Sequence, residues 1–174
     1  MSQKLRYAVL TALLAAMIFL MTAYVLHIPV GTVGYVHLGD TMIFVAAALL
    51  PTPYAVAAAA IGGALADVLT GYAVYALPTA IIKSLMVLPF TARREGLLCR
   101  RNVLALVPAG LIGVAGYAAA ETVILLLSGS ALPAALGGAA ATLLPNTVQE
   151  TAGGLLFILL ALALDRVKIK QRLA

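Results

Sequence analysis

The chain has 174 residues, of which 64% are apolar and only 10% are charged, and its net charge is +5. Soluble domains carry roughly 25% charged residues, so this composition excludes a soluble domain, and it is too apolar for a disordered tail. One Cys excludes a disulfide scaffold and a cysteine-based metal site. The chain is therefore predicted to be a single all-α integral membrane domain over residues 1–174.

Apolar runs predict six membrane helices joined by short loops, since each span takes about 20 residues. The predicted spans are 5–26, 40–50, 54–70, 78–92, 102–127 and 145–164. A Gly- and Pro-containing loop over 27–39 follows the first span. Pro78 and Pro145 are expected to begin helices, where a proline loses no hydrogen bond. Residues 134–144, rich in Ala and Gly, are expected to form a separate short helix after a turn at 128–133.

The basic residues predict the orientation of the bundle. With the N-terminus in the cytoplasm, ten of the 11 Lys and Arg side chains fall on the cytoplasmic side, as the positive-inside rule requires. The ten are Lys4, Arg6, Arg93, Arg94, Arg100, Arg101, Arg166, Lys168, Lys170 and Arg172. The sequence thus predicts a six-transmembrane-helix bundle with cytoplasmic N- and C-termini.

Charged side chains inside membrane helices are costly and usually functional. The predicted spans contain five of them: Asp40, Asp67, Lys83, Glu121 and Glu150. The predicted topology places all five in the outer half of the membrane, with Asn146 and Gln149 beside them. Three structural interpretations are also consistent with these positions. Asp67 and Lys83 could simply neutralise each other, Asp40 could cap a helix, and both Glu side chains could be protonated.

Four aromatic residues are predicted at or near the outer surface, Tyr35, His37, Tyr72 and Tyr75, and Tyr117 lies in the fifth span. Such rings either anchor the protein at the membrane interface or supply stacking surfaces for a flat, nitrogen-containing ligand. Acids outnumber Lys83 by four to one, which favours a neutral or cationic ligand. The candidate substrate-binding residues are His37, Asp40, Asp67, Tyr72, Tyr75, Lys83, Tyr117, Glu121, Asn146, Gln149 and Glu150. No catalytic and no metal-binding residue is predicted.

Two further patterns concern partners. Ala8, Ala12 and Ala16 recur every four residues on the first span, and small residues at that spacing let another helix approach closely. This stripe is the best candidate for contact with another subunit. No glycine-rich phosphate loop precedes Lys83-Ser84, so the chain lacks the usual means of holding ATP. We therefore expect neither an enzyme nor a cofactor.

Several of these segments resemble the substrate-binding S components of energy-coupling factor (ECF) transporters, in the group with riboflavin and hydroxymethylpyrimidine types. The matching segments are Tyr-Val-His-Leu-Gly-Asp at 35–40, Ala66-Asp67, Gly-Tyr-Ala-Val-Tyr-Ala-Leu-Pro at 71–78, Ile82-Lys83, Gly116-Tyr117 with Glu121, and Pro145-Asn146 with Gln149 and Gly153. The alanine stripe is similar to the motif with which that family docks on its transmembrane coupling protein.

The resemblance implies a six-helix bundle in a prokaryotic plasma membrane, with a vitamin pocket near the outer face and a lid formed by the loop after the first helix. It also implies partnership with a coupling (T) protein and two cytoplasmic ATPases, which use the ATP. Hydroxymethylpyrimidine-, pyridoxine- or thiamine-like ligands are expected, with riboflavin or a deazapurine as further options. The alternative is a self-sufficient, proton-coupled carrier that uses Glu121 and Glu150.

Overall fold

The computed structural model describes residues 2–25, 28–29, 35–93 and 96–173. The predicted end of the first span at residue 26, residues 27 and 30–34 of the loop after it, and residues 94–95 lie outside these ranges. The helices are α1 Gln3–Ala23, α2 Gly39–Leu49, α3 Thr52–Leu69, α4 Ala76–Val87, α5 Arg100–Leu127, α6 Leu132–Arg166 and α7 Ile169–Arg172. A 3₁₀ turn, Ala73–Tyr75, precedes α4. Two short antiparallel strands, β1 Ile28–Pro29 and β2 Tyr35–Val36, lie between α1 and α2.

Helices α1, α3, α5 and α6 are long and apolar enough to cross a membrane, whereas α2 and α4 are shorter apolar helices. At 1.5 Å per residue, α2 is about 17 Å long, little more than half of a 30 Å hydrocarbon layer. Ten of its 11 residues are buried, because α1, α3 and α6 surround it. A helix that is apolar on every side is typically a core helix, and α2 holds the centre of the bundle.

The separate helix expected at 134–144 is wrong, because α6 runs unbroken from Leu132 and contains Pro145 in its interior. Pro133, not Pro145, lies at the start of the helix. A proline is tolerated there because backbone N–H groups in the first turn have no acceptor within the helix. Prolines inside membrane helices are tolerated where neighbouring helices support the backbone. Helix α6 has such support from α5, which itself contains Pro108 and packs along it.

The continuity of α6 corrects the depth of its polar residues. Helices α5 and α6 form an antiparallel hairpin through a turn at Gly129, whose φ of +89° favours glycine. Glu150 is the nineteenth residue of α6, about 27 Å along the helix from Leu132. It packs against Gly110 and Gly113 in the middle of α5. The expectation that Glu150 lies near the outer end of its helix is therefore wrong.

The other end of the bundle, predicted to be cytoplasmic, has an aromatic core and a tightly held loop. Phe44 stacks on Phe90 with ring centroids 5.4 Å apart, and Phe157 packs edge-on against both rings. Asp165 accepts hydrogen bonds from the backbone N–H groups of Leu97 and Leu98, at 2.7 and 2.8 Å. These contacts tie the connection between α4 and α5 to the last turn of α6.

Candidate ligand-binding site

A polar cavity lies between the β2 segment, the 3₁₀ turn and helices α3, α5 and α6. Its volume is about 50 Å³, which is room for a few water molecules. A ligand of vitamin size must therefore displace lining side chains as it enters. The cavity is lined by Tyr35, His37, Asp67, Tyr72, Tyr75, Tyr117, Glu121, Thr142, Asn146 and Gln149.

Strand β2 supplies one wall of this cavity. Alternate residues of an extended chain point to the same side, and Tyr35 and His37 both face the cavity. The Tyr35 hydroxyl donates to Asp67 Oδ1 at 2.8 Å, and its ring lies 4.9 Å from the ring of Tyr72. Burial, followed by the nearby Asp67 carboxylate, raises the pKa of Tyr35 above its ordinary value. Tyr35 therefore keeps its proton and serves as a donor.

A second wall comes from the 3₁₀ turn and α5, with α4 packed behind it. The Tyr75 hydroxyl hydrogen-bonds Glu121 Oε2, which gives this buried carboxyl a partner within the protein. The hydroxyls of Thr79 and Tyr117 lie 3.1 Å apart, within hydrogen-bond distance. The Lys83 ammonium lies 5.0 Å from the centre of the Tyr117 ring, a cation–π distance. These contacts fix the orientation of two aromatic rings that face the cavity.

The deepest charges form a cluster next to the cavity. Lys83 Nζ donates to Asp40 Oδ1 at 2.6 Å and lies 3.8 Å from Glu150 Oε1. Gln149 Nε2 donates to the second Asp40 oxygen at 2.7 Å. The structural interpretation in which Asp67 and Lys83 neutralise each other is wrong, since Lys83 pairs with Asp40 and Asp67 bonds Tyr35.

Asp40 does not cap α2, which corrects a second structural interpretation. The residue at the cap position is Leu38, and Asp40 is the second residue of the helix. Its side chain is fully buried and points at Lys83. The acid in the first turn also suits the positive end of the helix dipole. Asp40 thus belongs to a tertiary ion pair.

Glu150 differs from the other acids. Within the described part of the chain, neither of its carboxyl oxygens has a hydrogen-bond partner. Its closest cation is Lys83, which Asp40 already engages. A side chain at Gly113 would overlap the Glu150 carboxyl, so that glycine makes the space it occupies. A buried carboxylate with so few partners is costly unless it is protonated.

The structure places eight of the eleven predicted residues at the cavity: His37, Asp67, Tyr72, Tyr75, Tyr117, Glu121, Asn146 and Gln149. The other three, Asp40, Lys83 and Glu150, form the ion cluster beside it. The sequence prediction did not include Tyr35 and Thr142. Tyr35 could have been predicted, because it is two residues from His37 and alternate residues of an extended chain face the same side. Thr142 was assigned to a helix expected to be separate from the site.

The alanine stripe lies on the outer surface of the bundle. Ala8, Ala12 and Ala16 are all exposed on α1. The buried side of α1, which includes Ala15 and Ile18, packs closely on Gly62 of α3. The stripe is therefore free for contact with another membrane helix.

Comparison with known proteins agrees with this arrangement. The family model described as "ECF-type riboflavin transporter, S component" matches residues 2–166, nearly the whole chain. A search of curated proteins gave no match. Because the family match spans the bundle, the cavity and the alanine stripe, the chain belongs to the family of S components of ECF-type riboflavin transporters.

Proposed function

We propose that this protein captures a flat nitrogen heterocycle at the outer face of a prokaryotic plasma membrane, for uptake through a coupling protein and two cytoplasmic ATPases. The observation that carries the proposal is a cavity whose described lining residues all have polar or aromatic side chains, in a largely apolar helical bundle. The proposed topology has six spans with both termini in the cytoplasm. The partners hydrolyse the ATP, so this chain needs no cofactor.

The lining residues favour a particular ligand chemistry. Four tyrosines offer stacking surfaces, while Asp67, Glu121, Asn146 and Gln149 offer hydrogen-bond acceptors. No Lys or Arg is among the described lining residues, because Lys83 points at Asp40. This supports a neutral or cationic ring, such as a hydroxymethylpyrimidine-, pyridoxine- or thiamine-like compound. Riboflavin, which the family description names, is also flat, neutral and rich in nitrogen.

Thermal unfolding of the purified protein with a panel of ligands tests the proposal. The panel is riboflavin, hydroxymethylpyrimidine, pyridoxine and thiamine. A ligand that binds only the folded protein, present at 100 times its dissociation constant, stabilises it by about 2.7 kcal/mol. Replacing Tyr117 by Leu should abolish the stabilisation, whereas replacing the exposed Tyr24 by Leu should preserve it. If none of the four compounds stabilises the wild-type protein, the ligand assignment fails.

The second candidate function is the proton-coupled carrier. The observation that favours it is the buried Glu150 carboxyl, which has room for a proton and no hydrogen-bond partner among the described residues. Uptake into vesicles that contain this chain alone separates the two functions. The capture subunit should give no net uptake without its ATPases. Uptake driven by a proton gradient and lost in Glu150→Gln would establish the carrier instead.

A further inference from the structure

Among the described residues, side-chain hydrogen bonds join the lid segment, residues 35–38, to α3 and to α6. Tyr35 bonds Asp67 of α3 through its hydroxyl. The backbone N–H of His37 donates to Gln149 Oε1 of α6 at 3.1 Å. The Gly39 N–H donates to His37 Nδ1 at 3.0 Å, which shapes the turn into α2.

The attachment at Gln149 differs from the other because both ends of its amide are engaged. Its oxygen accepts from the His37 N–H, while its nitrogen donates to Asp40 Oδ2 at 2.7 Å. An ionised carboxylate accepts hydrogen bonds and cannot donate them. Asp40 therefore decides which way the amide faces. In the reverse orientation, Gln149 Oε1 would face the Asp40 carboxylate and Gln149 Nε2 would face the His37 N–H. Neither hydrogen bond could then form.

Asp40 is itself held by Lys83 at 2.6 Å, and this ion pair lies beside the cavity without lining it. Asp40, Lys83 and Gln149 are each at most 2% exposed. In such a dry environment charge-assisted hydrogen bonds are strong, and an unmade one is costly. A continuous chain of contacts thus runs from Lys83 through Asp40 and Gln149 to the backbone of the lid segment.

We propose that Gln149 is a positioning residue that fastens the lid segment to the buried Asp40–Lys83 ion pair. The pair acts on the cavity through the orientation of the Gln149 amide, and it holds the lid segment closed. The inference rests on the proposed function only in taking the cavity as the place where a ligand enters. It assigns a role to two charges that the sequence alone placed among the ligand contacts.

Hydrogen exchange at the segment that contains His37, measured on the ligand-free protein in lipid nanodiscs, tests the proposal. Gln149→Met keeps the length of the side chain but removes both hydrogen bonds, and exchange at His37 should rise roughly tenfold. Asn146→Leu is the matched control, since Asn146 lines the same cavity from the same helix. Exchange at His37 should stay within about twofold in that variant. The N–H groups of Leu97 and Leu98 report whether the rest of the bundle is intact.

The role of the ion pair is tested by adding Asp40→Asn. An Asn side chain can offer Gln149 either a donor or an acceptor, so the amide is no longer forced to face the lid segment. Lys83 keeps Glu150 as a partner, which supports folding of the variant. Asp40→Asn should raise His37 exchange roughly threefold in the wild-type background. In the Gln149→Met background it should have almost no effect, because its route to the lid segment is already cut.

Three outcomes would overturn the inference. They are unchanged His37 exchange in Gln149→Met, unchanged exchange in Asp40→Asn, and equal effects of Asp40→Asn in both backgrounds. The last would mean that Asp40 loosens the protein generally rather than through Gln149. The exchange measurement uses the ligand-free protein. Its outcome therefore does not depend on whether the protein binds any of the four vitamins.

Discussion

The two ends of the bundle use their polar side chains differently. At the aromatic end, Asn102 and Asp165 bind backbone groups: Asn102 accepts from the Thr91 N–H and donates to the carbonyls of Thr91 and Leu97. At the cavity end, polar side chains mostly bind one another, as Tyr35 does with Asp67. Bonds to backbone fix the shape of a loop. Bonds between side chains around a cavity can be exchanged for bonds to a ligand.

The largest expected effect comes from breaking the aromatic end. Phe157 is fully buried and packs edge-on against Phe44 and Phe90. Phe157→Ala should lower the free energy of unfolding by about 4 kcal/mol, since it leaves a cavity in the core. Thermal unfolding measures the loss, and the folded fraction should keep its ligand affinity. Leu159→Ala, at an exposed position of the same helix, is the control and should change stability little. Loss of affinity without loss of stability in Phe157→Ala would contradict the division between the two ends.

A second effect is expected outside both ends, on the alanine stripe. Ala12→Leu places a large side chain where a partner helix is proposed to pack, and should weaken assembly with the coupling protein by about 2 kcal/mol. Co-purification with the coupling protein measures this. Ligand affinity of the isolated chain should not change. Ala119→Leu makes the same substitution at an exposed position of α5. If both variants weaken assembly equally, the stripe is not the docking surface.

The smallest effect is expected from a single acceptor at the cavity. Asp67→Asn keeps the shape of the side chain but removes its negative charge and alters its bond with Tyr35. Ligand affinity should fall by about 1 kcal/mol, roughly fivefold, because one hydrogen bond to a charged acceptor is weakened. Titration calorimetry with the ligand found by thermal unfolding measures it. A cationic ligand should lose more affinity than a neutral one. Unchanged affinity for every ligand would remove Asp67 from the site.

The sequence predicted most helices because membrane spans are long apolar runs, and it predicted most cavity residues because polar groups are rare in such runs. It failed where three-dimensional packing decides. In the sequence, Pro145 indicates the start of a helix. In the structure, α5 packs along this part of α6 and the helix continues through Pro145. The predicted depths of these residues in the membrane allow Lys83 to contact either Asp67 or Asp40. The choice depends on how each helix is rotated about its axis, which single-sequence patterns do not specify.

The measurement that tests the central claim most directly is the identity of the small molecule that the purified protein carries. Denaturing the protein and analysing the released compounds by mass spectrometry gives it without prior choice of ligand. We expect an aromatic nitrogen heterocycle that is neutral or cationic, and that is lost when Tyr117 is replaced by Leu. Release of an anionic or non-aromatic compound would contradict it, as would undiminished retention of the heterocycle by the Tyr117→Leu variant.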